Sequence, residues 1–132
     1  MNDERAGSGG HPGVTVVNLA EKLALFEERW HPHLVAELNH QQVKLAKLEG
    51  EFIWHSHAEE DELFFVLSGT LRIELRGGDV TLGPGEMCVI PRGVEHRPVA
   101  ESLVSLLLFE PASTRHTGDV ESERTVIEPR RI

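Results

Sequence analysis

The spacing of turn residues after position 62 constrains this chain more than any other feature. Gly77-Gly78, Gly83-Pro84-Gly85 and Pro91-Arg92-Gly93 cut it into short runs rich in Val, Leu and Ile. Runs of that length suit strands rather than helices. In one of them Leu71, Ile73 and Leu75 alternate with Thr70, Arg72, Glu74 and Arg76, which gives one buried and one wet face. Strands at 80–82, 87–90 and 103–109 follow, with a tight two-residue hairpin at Gly77-Gly78. Short strands punctuated this regularly predict an all-β barrel or sandwich.

Upstream the signals are mixed. Asn18 with Glu21 three positions later reads as a helix start, and Leu19, Leu23 and Phe26 supply one apolar stripe, so a short helix is expected over 18–28. Segments 34–38, 43–48 and 51–57 read as further strands. The expected organisation is a frayed terminus at 1–13, a helical segment at 14–33, the barrel at 34–110 and a polar tail at 111–132. At 132 residues, 39% of them apolar and 27% charged, there is room for one core and not two.

The histidines need a separate explanation, because eight is many for this length. His55 and His57 stand two apart in an expected strand, so both rings leave the same face. Ala58 to Asp61 form a charged turn, and Glu62 opens the next strand beside the pair. Two imidazoles and a carboxylate suit a divalent first-row transition ion better than calcium or magnesium. His96, which follows the Pro91-Arg92-Gly93 turn, is the candidate third imidazole. A decoy, His31-Pro32-His33 with Glu37, has the same local pattern, but Lys44 stands where a closing glycine would fall and Pro32 removes a strand donor. Those histidines, with His11, His40 and His116, are expected on the surface. Cys88, between Met87 and Val89, reads as a small buried hydrophobe and not a nucleophile.

Gly50, His55, His57, Glu62 and Gly69, followed by Gly85, Pro91, Gly93 and His96, resemble the two signature motifs of the cupin superfamily. One residue is missing before the first histidine, and Ala100 stands at the asparagine position of the second motif. The resemblance spans 34–109 and implies a conical jelly-roll barrel. It also implies one divalent metal (Fe, Mn, Zn or Ni) held by His55, His57, Glu62 and His96. The chain further looks like small cupins labelled similar to mannose-6-phosphate isomerases, and isomerase, lyase and dioxygenase activities all occur in the family.

Two functions follow as expectations: a metal-dependent enzyme on a small polar or anionic metabolite, or a non-catalytic metabolite- or metal-binding module. There is no tyrosine, so a phenolic base is excluded. Lys44, Lys47, Glu51 and Arg92 remain as acid–base candidates. A formal charge of −9 argues against nucleic acid and anionic membrane as partners. One cysteine, no signal-like leader and no apolar run near the ~20 residues of a membrane span point to the cytoplasm. If Glu62 faces inward, alternation turns Phe64 and Val66 inward and Leu63, Phe65 and Leu67 outward. Trp54 likewise opposes His55. An outward apolar face needs cover from the helix or from a second copy, so a homodimer is expected, with 34–38 as a candidate pairing strand.

Overall fold

The computed structural model describes residues 10–118 and 129–132; residues 1–9 of the expected loose terminus and 119–128 of the tail lie outside it. The regular structure of the described chain is almost entirely antiparallel sheet, as the turn spacing requires. Its elements are α1 (Leu19–Leu23), β1 (His33–Leu38), β2 (Gln41–Glu51), β3 (Glu62–Ser68), β4 (Leu71–Leu75), β5 (Val80–Leu82), β6 (Met87–Ile90) and β7 (His96–Pro111). Among them, no helix is long and apolar enough to cross a membrane.

The long strand β7 organises the barrel. Its first residues pair with β4, from His96↔Leu75 to Val99↔Arg72, and its last pair with β3, from Ser105↔Ser68 to Phe109↔Leu63. Its other edge carries β2, from Val99↔Glu51 to Pro111↔Gln41. It runs well beyond the 103–109 read from apolar pattern, because Val99 and Ala100 find partners in Glu51 and Gly50. Pairing on either side carries the strand past the polar Glu101-Ser102, which fall in a bulge between Ala100↔Gly50 and Val104↔Leu48. β6 pairs with β3, β5 with β4, and β1 with β2. The β4–β5 connection is longer than the tight turn expected, closed by Gly78 N–H to Leu75 O at 3.2 Å and Leu75 N–H to Asp79 Oδ1 at 3.3 Å.

Inside the barrel, Ala46, Leu48, Phe64, Val66, Leu71, Ile73, Val104, Leu106 and Leu108 form the main core. β3 alternates as expected: Glu62, Phe64 and Val66 are buried, while Leu63, Phe65 and Leu67 are half-buried. A second cluster lies outside the sheet, where Phe26, Val35 and Leu45 gather Leu19, Leu23, Leu67 and Leu107. The N-terminal segment thus covers part of the outward apolar face, and β2 is buried on both sides through its middle.

That docking also shortens the helix. α1 begins as expected, with Asn18 Oδ1 accepting from Glu21 N–H at 2.9 Å, but stops at Leu23. Phe26 is buried in the outer cluster, and its carbonyl accepts from Lys47 Nζ at 2.8 Å rather than from a further helical turn. Tertiary contact outbids a helix too short to be stable alone. The outer edge of β1 is taken by the chain itself, since Leu34 N–H donates to Arg130 O and Ile132 N–H to Leu34 O. This leaves β1 less open as a pairing strand than its sequence suggested.

Candidate metal centre

The segment expected as a strand at 51–57 departs from the ladder after Glu51. Phe52 N–H donates to Pro98 O at 3.0 Å, but a proline has no N–H to return. Ile53 and Trp54 then stand opposite the single residue Arg97, and pairing resumes only at His55. There the two backbones exchange bonds, His55 N–H to His96 O at 3.0 Å and His96 N–H to His55 O at 2.9 Å. An extra residue of this kind re-aims the side chains that follow it. Trp54 turns outward, beneath the Arg76 guanidinium at 3.8 Å. The next loop is clamped at both ends of the second motif's turn. Gly93 N–H donates to His57 O at 2.7 Å, and Arg92 N–H to Asp61 Oδ1 at 2.9 Å.

These constraints bring His55, His57, Glu62 and His96 together, all buried, with one donor atom from each within 4.8 Å of every other. Donors held about 2.0–2.2 Å from one ion lie up to about 4.4 Å apart, so the cluster needs only slight contraction around a common centre. His55 Nδ1 lies 2.9 Å from Ile53 O and His96 Nδ1 3.0 Å from Val94 O. A carbonyl only accepts, so both Nδ1 atoms carry the proton and both Nε2 atoms keep a lone pair for the centre. Glu62 Oε1 lies 3.2 Å from His57 Nε2 and 3.5 Å from His96 Nε2. Glu62 Oε1 and His96 Nε2 are buried with no well-formed hydrogen bond, a costly condition that coordination would relieve.

The protonation states fit a cation. Burial first, then the neighbouring His96, lowers the His55 pKa from 6.5 to about 4, so the ring is neutral as a ligand must be. Burial alone would raise the Glu62 carboxyl; the imidazoles of His57 and His96 outweigh it and hold the group well below the usual range. The donor set of three imidazoles and one carboxylate therefore suits one divalent transition ion.

Other sequence candidates lie elsewhere. Lys44 is buried with its Nζ 3.9 Å from Glu110, Lys47 binds Phe26, and the exposed Glu51 and Arg92 pair with Arg97 and Asp61. Cys88 is half-buried, and burial raises its thiol pKa, which fits the inert role expected. His33 is a correction: it is fully buried, its ring 3.9 Å from that of Phe26. His116 is another. It is only partly exposed, tilts against Phe52 at 5.5 Å and lines a cavity beside His55 and Glu62. Sequence reasoning also passed over Glu110, which is buried behind Glu62; burial and then the Glu62 charge raise its pKa well above normal. Alternation placed Glu110 on the same face as Leu106 and Leu108, a legible signal. For His116 there was none.

Fold and cluster together define a small antiparallel β-barrel with an imidazole–carboxylate site inside. The chain belongs to the cupin family: the Cupin domain matches residues 41–110. It is 39% identical over 64 residues to the uncharacterised protein YdbB of Bacillus subtilis (strain 168), covering 48% of this chain. That match spans only 57% of the relative's length. A cupin-2 domain containing protein from Shewanella frigidimarina NCIMB 400 is 49% identical, with a TM-score of 0.72, covering 73% of this chain and 94% of that one. Protein NMB1881 from Neisseria meningitidis is 35% identical at a TM-score of 0.68, covering 73% and 98% respectively.

Proposed function

We infer that the chain holds one divalent transition-metal ion through His55, His57, Glu62 and His96 and acts as a metal-dependent enzyme on a small metabolite. The observation that carries this reading is the convergence of four buried donor atoms within 4.8 Å, two of the rings oriented by backbone carbonyls. When bound, such an ion supplies Lewis acidity and free positions for a substrate oxygen. The chain's own contribution is orientation and dryness: the carbonyls of Ile53 and Val94 fix two rings, and Phe64 walls the centre, edge-on to His96 at 6.0 Å. A phosphosugar fits poorly, because no Lys or Arg lines the adjoining cavity among the described residues.

Elemental analysis of protein purified without chelator tests the site, with about one first-row ion per chain expected from a single four-donor site. Full loading of a His57→Ala, Glu62→Ala double variant would overturn it. Turnover that requires added metal separates an enzyme from a non-catalytic binding barrel. The same reading extends to a homodimer formed on the apolar face left outside the N-terminal cover. There Met87 and Val89, 62% and 53% exposed, stand opposite Phe65 and Leu63. Sedimentation equilibrium at micromolar concentration checks this; the 14.7 kDa monomer mass throughout would end it.

A further inference from the structure

The cavity beside the metal cluster has a composition that selects its ligand. It touches two of the four candidate ligands, His55 and Glu62, and nine of its twelve lining side chains are apolar. Trp30 and Phe52 form one wall as a stacked pair, ring centres 4.7 Å apart and 15° from parallel. Phe64, Leu106 and Pro98 continue it. Trp30 is locked in place, its backbone N–H donating to Lys47 O at 2.8 Å and its indole N–H to Glu49 O at 2.9 Å. The indole N–H is therefore committed to the protein and not offered to a ligand. Among the described residues, the only lining group that both exchanges protons and is not a candidate ligand is His116. Its turn is pressed onto the site, with Thr117 fully buried and Gly118 packed against Ser56.

Each kind of ligand meets this wall differently. A carboxylate, a phosphate or a fan of sugar hydroxyls would find no Lys, Arg, Asn, Gln, Ser or Thr there among the described residues. Each polar group left unmet there weakens binding. A flat apolar ring loses nothing by entering and gains aromatic contact. The space is narrow, about 30 Å³, which rules out a ligand of several rings. Such a molecule reaches the metal through one oxygen, and a hydroxyl must shed its proton to become a strong ligand there. Histidine is the side chain suited to take a proton near neutral pH.

Resting on the metal reading above, we propose that the cavity binds a small, largely apolar molecule carrying one ionisable hydroxyl, of the phenol or enol class, and that His116 accepts the hydroxyl proton as the oxygen engages the ion. The O–H bond breaks, its electron pair stays on the oxygen facing the metal centre, and the proton moves to the His116 ring. No redox partner is involved. Because the proton is kept within the complex, binding a neutral phenol releases none to solvent.

Calorimetry on zinc-loaded protein tests this with four probes: phenol, anisole, lactate and mannose 6-phosphate. Titrations in buffers of different ionisation enthalpy count the protons released. Wild type is expected to bind phenol at least about tenfold tighter than anisole, the equivalent of one charge-assisted hydrogen bond, with lactate and mannose 6-phosphate weaker still. His116→Gln is expected to keep its zinc and its cooperative fold, yet to release about one proton per phenol bound, where wild type releases none. Equal proton release by the two proteins, or lactate or mannose 6-phosphate bound in preference to phenol, overturns the proposal while leaving the metal site intact. A chain that holds no zinc in the same preparation overturns both.

Discussion

Replacing Gly118 with alanine tests whether the turn that carries His116 is seated on the site as tightly as its geometry implies. Gly118 has φ of +61°, and a methyl group built there lies 2.1 Å from Ser56 O and 2.9 Å from Ser56 C, both backbone atoms. Carbon contacts are normally about 3.5–4.0 Å, so the turn must lift away from His55-Ser56. Gly85 is the control: its φ is +82°, but nothing lies within 4 Å of an added methyl. A left-handed conformation costs an ordinary L residue about 1–2 kcal/mol, and Gly85→Ala should stop there. Gly118→Ala incurs the same cost plus that of lifting. Thr114 and Thr117, 5% and 0% exposed, come up with the turn, and the His116–Phe52 ring pair at 5.5 Å is lost. At about 0.8 kcal/mol for each buried methyl and about 0.5–1.5 kcal/mol for the ring pair, lifting adds roughly 2–3 kcal/mol. For a domain of this size that lowers Tm by roughly 7–11 °C beyond the control. Urea denaturation and a thermal melt measure the difference, and hydrogen exchange at residues 114–118 locates it. Equal losses in the two variants would refute the reasoning, because the backbone conformation is left-handed in both and only the contact differs.

Three further outcomes are expected. Ile73, fully buried in the main core, should cost about 2–5 kcal/mol when cut to alanine, read as a lower urea midpoint with an unchanged m-value. Zinc at a hundredfold excess over its Kd should stabilise chelator-treated protein by about 2.7 kcal/mol, roughly 10 °C in Tm, with no response from the His57→Ala, Glu62→Ala variant. The pKa of His33 is lowered from 6.5, by burial first and then by His31 and Arg130, with Glu28 opposing. The unfolded ring therefore takes up a proton before the folded one, so its contribution to stability is present above about pH 6.5 and lost as pH falls below it. Stability measured at about pH 7.5 and about pH 5.5 should fall less in His33→Leu than in wild type, and an equal fall would remove His33 as the cause.

Much of this protein is legible in local pattern because the forces that act there are local. Alternation along 62–66 and 71–75 reports which face meets the core, since side chains in a strand repeat every two residues whatever lies across from them. Motif spacing likewise selected His55, His57, Glu62 and His96, the group found clustered. Pattern failed where a partner distant in sequence decided the outcome. The helix expected to Glu28 stops at Leu23 because Phe26 binds the outer face of β2, and no neighbour in sequence signals that. The strand expected through His57 breaks after Glu51 because the residue facing Phe52 is Pro98, which has no N–H to return. His33 is buried beneath Phe26, and His116 reaches the cavity because Gly118 lets its turn settle against Ser56. Periodicity carries the information for a face. Only the folded chain decides what that face meets, because contacts between distant segments depend on register and closure, which the local pattern does not encode.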